Sequence, residues 1–188
     1  MEKSPATHLT ALAILVPEAD PIFGPTRERH DSSAAQGAPA HVTMIFPFVP
    51  PASLDRRARA QIAEVCASHA AFRFSLTEVR RFPDAVYLAP EPDEGFHRLL
   101  RDLLHVFPDY PPYEGKFDGF VPHLTLGTED STSVLEQISA DFAQSQGDAL
   151  PIPCVADTLT LLLRDEAGWV PRWGFALGGE TVKKENRR

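Results

Sequence analysis

The spacing of apolar and polar positions along the chain changes several times, and each change marks an element. Residues 9–16 are an apolar run bounded by His8 and Pro17, too short for a typical helix and therefore read as a buried strand. Residues 17–25 are rich in turn formers, with room for a short helix over 22–29. The charged cluster Arg27-Glu28-Arg29-His30-Asp31 leads into a small-residue loop over 31–40, which can close over a ligand or run as a solvated connection. A strand is expected over 41–46, stopped by Pro47. Ser53 can cap a helix whose apolar positions Leu54, Ala58, Ile62 and Val65 or Cys66 recur at helical spacing. Phe72, Phe74 and Leu76 then alternate with Arg73, Ser75 and Thr77, and a turn at 80–84 with a strand at 85–88 makes a hairpin with a longer loop.

From Asp93 the spacing returns to three and four. Phe96, Leu99, Leu100, Leu103, Leu104 and Phe107 mark one side of a helix that ends before Pro108. His97, Arg101 and His105 fall on its other side, where a solvent-facing surface explains them better than a metal site short of ligands. Pro111, Pro112, Gly115 and Gly119 make 110–121 a loop, and a strand follows over 123–126, closed by Gly127. Ser133 and Glu136 suit a capping box for a helix using Val134, Leu135, Ile138 and Phe142. A long β-like stretch covers 152–163, then a turn at Asp165, Glu166 and Gly168 leads into a strand over 170–177. The charged tail from about 180 should fray. Helices interrupting short strands allow a parallel sheet, but the hairpins fit an α+β fold of two related sheets, one bilobal domain across 1–188.

Composition narrows the class. With 188 residues, 43% of them hydrophobic, the chain can bury a core and is not a disordered segment. Its formal charge of -8 argues against a general binder of long nucleic acid, yet leaves room for a local basic cleft and a small nucleotide. Cys66 and Cys154 are expected as reduced, buried thiols; the apolar run at 9–16 is too short to span a membrane and no lipidation motif is visible, so a cytoplasmic location is expected.

The candidate chemistry lies in two stretches that repeat one another: His41-Val42-Thr43-Met44 and His123-Leu124-Thr125-Leu126. Strand alternation puts His41 beside Thr43, and His123 beside Thr125, with the apolar partners turned to the opposite face. Two imidazoles can divide acid and base work near neutral pH, and the hydroxyls can donate to an anion held between them. This suits attack on a phosphate ester. A zinc site is remote, because no nearby Cys or acid completes either motif. Weaker candidates are Phe46 and Phe48, which can stack on a base or pack in the core; Arg80 and Arg81, suited to phosphate or to the surface; Tyr110 and Tyr113 at the mouth; and Arg172, a source of positive charge.

On those two tetrapeptides the chain resembles the 2H phosphoesterase superfamily, also described as the 2'-5' RNA ligase or cyclic phosphodiesterase-like family, defined by two His-x-Thr/Ser-x motifs whose last position is hydrophobic. Both motifs match at every position, and His123 lies 82 residues after His41. The resemblance implies a bilobal α+β fold with pseudo-two-fold symmetry and a groove crossed by both motif strands. It implies hydrolysis of 2',3'-cyclic phosphodiesters of nucleotides or RNA ends, or 2'-5' joining of RNA ends in reverse, with no metal and no cofactor. His41 and His123 would be the acid–base pair, with His41 provisionally the acid, and Thr43 and Thr125 would bind nonbridging phosphate oxygens. Phe46, Tyr110 and Arg172 are the further substrate-binding candidates. The implied partner is a small cyclic phosphonucleotide or an RNA terminus; a noncatalytic nucleotide or RNA-end sensor keeping the same cleft is the remaining alternative.

Overall fold

The computed structural model describes residues 9–129, 131–178 and 181–182. Its strands are β1 (Leu9–Leu15), β2 (His41–Ile45), β3 (Phe72–Phe82), β4 (Ala85–Glu91), β5 (Leu124–Thr128), β6 (Ile152–Ala156), β7 (Thr158–Asp165), β8 (Gly168–Ala176) and β9 (Thr181–Val182). The helices are α1 (Asp20–His30), α2 (Ser32–Ala35), α3 (Arg56–Ala67), α4 (Glu94–Val106) and α5 (Thr132–Gln146). The strands form two antiparallel sheets, β2-β1-β7-β8-β9 and β5-β4-β3-β6. Each motif strand is an edge strand of its own sheet, and β2 and β5 touch where the edges meet. The α+β architecture of two sheets expected from the chain is therefore what forms.

Strand β1 shows how the sequence makes room for a groove. In Leu-Thr-Ala-Leu-Ala-Ile-Leu, the large residues Leu12 and Ile14 enter the main core, while Ala11 and Ala13 sit on the opposite face with Ala38, Leu162 and Trp169. Side chains alternate strictly across a strand, so the small residues leave space on one face without thinning the core on the other. The main core is continuous through both sheets, from Leu12, Val42 and Met44 to Leu76, Leu88 and Leu124. The helices tie the halves reciprocally: α1, which precedes β2, packs on β5, and α4, which follows β4, packs near β2.

Several expectations change. Helix α1 begins at Asp20 rather than near Ile22; Pro21 falls in the first turn, where a backbone donor has no helical partner, and the bond lost at Pro25 is offset by burying Phe23 and Arg27. The expected 31–40 loop holds the short helix α2, capped by the Asp31 side chain. Asp55, not Ser53, caps α3, its Oδ1 accepting the Ala58 N–H at 2.8 Å, while Ser53 lies in a 3-10 turn set by Pro50 and Pro51 and Leu54 is buried outside the helix. Strand β3 runs through Phe82, so the hairpin turns on Pro83 and Asp84 alone instead of a longer loop; cross-strand pairing of Arg80 with Tyr87 and Arg81 with Val86 outweighs their polarity. Ser133 lies inside α5, whose first free amides bond to the Ser131 carbonyl, so the Ser133–Glu136 box does not set its start.

The 152–163 stretch is two strands. It breaks at Asp157, with β6 pairing β3 in one sheet and β7 pairing β1 and β8 in the other. The core-facing positions change phase at the break, from Ile152, Cys154 and Ala156 in β6 to Leu159 and Leu161 in β7, a shift at Asp157 that a reading of one long strand passes over. Of the tail, Thr181–Val182 pairs with β8, and the fraying expected beyond it lies outside the described residues. Both cysteines are free and buried, and burial pushes the Cys66 thiol up to about 12. Among the described residues no helix is long and apolar enough to cross a membrane.

Gly127, expected to close a strand over 123–126, instead lies inside β5, which starts one residue after His123 and runs to Thr128, and it tests the packing of α1 on that strand. A Cβ there would meet His30 Cβ at 2.7 Å and Ile138 Cδ1 at 3.2 Å. Gly127→Ala is expected to cost about 1–3 kcal/mol of stability by overpacking this contact, read from the shift of a urea unfolding midpoint.

Candidate active site

The two histidines are held alike. His41 Nδ1 lies 2.7 Å from the Pro39 carbonyl oxygen, and His123 Nδ1 lies 2.7 Å from that of Val121. In both cases the carbonyl belongs to the residue two positions earlier. A carbonyl can only accept, so each Nδ1 carries the proton that it donates, and each neutral ring is left with its Nε2 lone pair free. The prolines before the motifs act here: Pro39 itself supplies one carbonyl, and Pro122 separates the other from its histidine. Burial lowers both imidazole pKa values below 6.5, opposed by these same hydrogen bonds. For His41 the Arg27 charge lowers it further and Asp31 raises it; a charge on His123 also lowers it, so the two rings sense each other. For His123 the nearby Asp84 carboxylate raises it.

Thr43 and Thr125 share one cleft with His41. This cleft holds about 330 Å³ and also takes in Phe46, Tyr113 and Trp169. Among the described residues no Asp or Glu lines it, although the chain carries 26 acids against 18 Lys and Arg. His123 is not part of that lining. Its ring meets Phe82 and Tyr87 edge-on, at 5.1 and 5.5 Å between centroids, and lies near-parallel to Tyr113 at 6.4 Å. A second cavity of about 320 Å³ takes in Glu18, Asp20 and Asp157, the wrong sign for an anionic substrate.

Tyr113 is the residue that touches both motifs. Burial raises its phenol pKa above the ordinary value, with the Thr43 hydroxyl acting the other way. Its amide donates to the Phe46 carbonyl at 2.6 Å, and its φ of +52° is a left-handed conformation unusual for an aromatic residue. Of the two loop tyrosines proposed for the mouth, Tyr113 is therefore in place. Tyr110 is not; it packs on Phe48, itself in the core against Phe107. Phe46 does face the cleft, edge-on to Trp169 at 5.8 Å.

The arginines sort differently from expectation. Arg172 is exposed and lies 5.5 Å over Trp173, which Arg59 of α3 also covers, on the helix side of the sheet and not in the cleft. Arg172 is the unpaired residue of a bulge in β7–β8 pairing, between Pro171 opposite Leu162 and Trp173 opposite Leu161. Arg80 is engaged by Glu78 and Glu91 on the surface, and Arg81 lies 3.9 Å from Glu136. The cleft arginine is Arg164 of β7, 5.9 Å over Trp169.

Sequence reasoning also missed Arg27. This guanidinium is 2% exposed; its Nε donates to the Thr125 carbonyl at 3.0 Å and its Nη2 to Asp31 Oδ2 at 2.9 Å. Asp31 Oδ1 in turn accepts from Ser33 N and Oγ, and Asp20, 3.7 Å from Arg27, accepts the Ala40 amide beside His41. The i,i+4 spacing of Arg27 and Asp31 inside the charged cluster was the available signal.

The two sheets meet at edge strands that carry or directly follow the motif histidines, beside a cleft with no Asp or Glu among its described lining, the arrangement of a two-lobed α+β protein. The chain belongs to the 2'-5' RNA ligase superfamily, whose model matches residues 7–168, in agreement with the 2H phosphoesterase resemblance. The structure of E. coli LigT in complex with 3'-AMP is similar over 92% of this chain and 99% of its own, at 16% identity and a TM-score of 0.60. A protein of Thermus thermophilus, TT0787, is similar over the same shares, at 19% identity and a TM-score of 0.62. LigT has also been solved with NADP+, similar to this chain at 17% identity and a TM-score of 0.56. At these identities the likeness establishes the fold. No curated protein sequence matches the chain.

Removing Arg27 leaves Asp31 charged and buried. Arg27→Ala is expected to cost about 3–5 kcal/mol in urea unfolding, and the paired change Arg27→Met with Asp31→Leu to recover most of it.

Proposed function

We propose that this chain hydrolyses 2',3'-cyclic phosphodiesters of nucleotides or RNA ends, using His41 and His123 as its acid–base pair. The observation that carries this reading is the matched restraint of the two imidazoles: each Nδ1–H is bound to the carbonyl two residues back, so each Nε2 is the atom left to move a proton. The phosphate sits over Thr43 and Thr125, whose hydroxyls donate to its nonbridging oxygens, with Tyr113 beside it in the same cleft.

In the reaction, neutral His123 takes a proton from water as the water oxygen bonds to phosphorus. The bond from phosphorus to one ribose oxygen breaks, and protonated His41 delivers its Nε2 proton to that oxygen. Charge on one ring disfavours charge on the other, so the doubly protonated pair is disfavoured and the reactive form carries one such charge. An anionic substrate draws a proton onto His41, which burial otherwise keeps neutral. The two roles exchange if the other ribose oxygen leaves. With an RNA 5'-hydroxyl in place of the attacking water, the same opening joins ends: the 5'-oxygen bonds to phosphorus as its proton goes to the base, the bond to the ribose 3'-oxygen breaks with a proton from the acid, and a 2'-5' linkage remains, the activity for which the family is named.

His41→Ala and His123→Ala should each lower kcat by about 10²–10⁴-fold while urea unfolding stays near that of the parent. Thr43→Ala or Thr125→Ala should cost on the order of 10². If both histidine variants turn over a responsive cyclic phosphate at the parent rate, the assignment is wrong; a protein that binds nucleotides without turnover is a sensor.

The pH dependence follows from the burial of both rings. Because both imidazoles lie below 6.5 and the acid must hold its proton, kcat/KM should peak on the acid side of pH 6.5. Above it the rate should fall about tenfold per pH unit as the acid deprotonates. A plateau extending well above neutral pH would contradict it.

A further inference from the structure

The cleft continues past the motif residues to Arg164, and this end has no part in the proton transfers. Arg164 stands on β7 opposite Leu9 of β1 and Trp169 of β8, its guanidinium over the Trp169 ring. Phe46, just beyond the first motif, closes edge-on against that ring. Among the described residues no carboxylate forms an ion pair with Arg164, and the adjacent Asp165 turns its Oδ1 to the Ala167 amide instead. A half-buried guanidinium resting on an aromatic face, in a cleft without acids, is a preformed anion site with its geometry fixed and its charge unspent.

The register gives its distance from the reacting phosphate. Thr43 pairs with Ala13, and Ala13 with Thr160, so Arg164 lies four residues along and two strands across from Thr43. That is roughly 16 Å between Cα atoms. Once the arginine side chain reaches inward, the remaining gap suits a ligand carrying phosphate groups at both ends of a nucleoside.

Resting on the hydrolase reading above, we propose that Arg164 determines specificity: it binds a second phosphate, one nucleoside removed from the cyclic one, while Trp169 and Phe46 border the nucleoside between. The substrate class is thereby a nucleotide bearing a 5'-phosphate, or an oligonucleotide end whose internucleotide phosphate occupies the same place, rather than a bare nucleoside cyclic phosphate. A guanidinium donates to a phosphate monoester or diester in the same planar fork, so the shared ligand is the phosphate.

The test compares three substrates: adenosine 2',3'-cyclic phosphate, its 5'-phosphorylated form, and a dinucleotide ending in the cyclic phosphate. The parent protein should favour at least one phosphate-bearing substrate by about tenfold or more in kcat/KM, chiefly through KM, consistent with a charge-assisted contact. Arg164→Gln should erase that preference, whereas Arg172→Gln, which removes the same charge from the outer face, should keep it. Preference for the dinucleotide alone identifies the internucleotide diester as the group bound; preference for the 5'-phosphorylated form alone identifies the terminal monoester. Equal use of all three by the parent, or a preference that survives Arg164→Gln, overturns the proposal. If none of the three is turned over, the hydrolase reading fails, and calorimetric binding of adenosine 3',5'-bisphosphate against adenosine 3'-phosphate decides the role of Arg164 separately. Tighter binding of the bisphosphate that Arg164→Gln abolishes supports the site, and equal affinities refute it.

Discussion

Arg27 brings a permanent charge into the interior, and its neighbours are arranged around it. A buried guanidinium without partners would cost several kcal/mol, so Asp31 and the Thr125 carbonyl must both stay within hydrogen-bond reach of it. That requirement joins a helix from the first half of the chain to the motif strand of the second half. It also places Asp31 where it caps α2 through Ser33, and Asp20 where it holds the Ala40 amide next to His41. The segment over the cleft, the first motif and the second motif thus share one electrostatic anchor. Hydrophobic packing alone would press α1 against β5; the directional bonds fix their register.

The same charge shapes the chemistry. Arg27 and burial both push His41 toward its neutral form, while Asp31 pulls the other way. His123 sits among Phe82, Tyr87 and Tyr113 instead of beside a cation, with Asp84 as its charged neighbour. Two motifs nearly identical in sequence therefore lie in different electrostatic settings. Pseudo-symmetry supplies equivalent hydrogen bonds at Nδ1, and the surroundings distinguish the rings. Burial lowers both rings, and their charged neighbours differ: Arg27 and Asp31 act on His41, and Asp84 on His123.

Much of this was legible in the chain. The alternation in the first His-x-Thr-x stretch gave His41 and Thr43 one face, because a strand fixes side-chain direction with a period of two; in the second, the strand expected over 123–126 runs over Leu124–Thr128, and His123 stands just before it, outside the cleft that Thr125 lines. The periodicity of α4 was equally plain, since one helix face is apolar throughout. Arg172 was offered for its charge alone, which has no direction, and the bulge that holds it leaves no mark in composition; Tyr110 and Tyr113, three residues apart in an irregular loop, have no period to orient them. Cap positions slipped by one or two residues for a related reason: Ser53 and Asp55 both have capping chemistry, and the turn at Pro51 chose between them.

The chain by itself determined the elements, the duplicated pair of imidazole and hydroxyl, and the small residues of β1 that leave a cleft open, because all of these follow from short-range stereochemistry. Only the tertiary structure decided that 152–163 divides between two sheets, that Arg27 spans the halves and that Arg164 rather than Arg172 charges the cleft. Those features depend on contacts between residues far apart in sequence, such as Arg27 with Thr125 and Phe46 with Trp169. Local pattern is the same whichever distant partner a side chain meets, so the partner becomes known only when the two sheets close on each other.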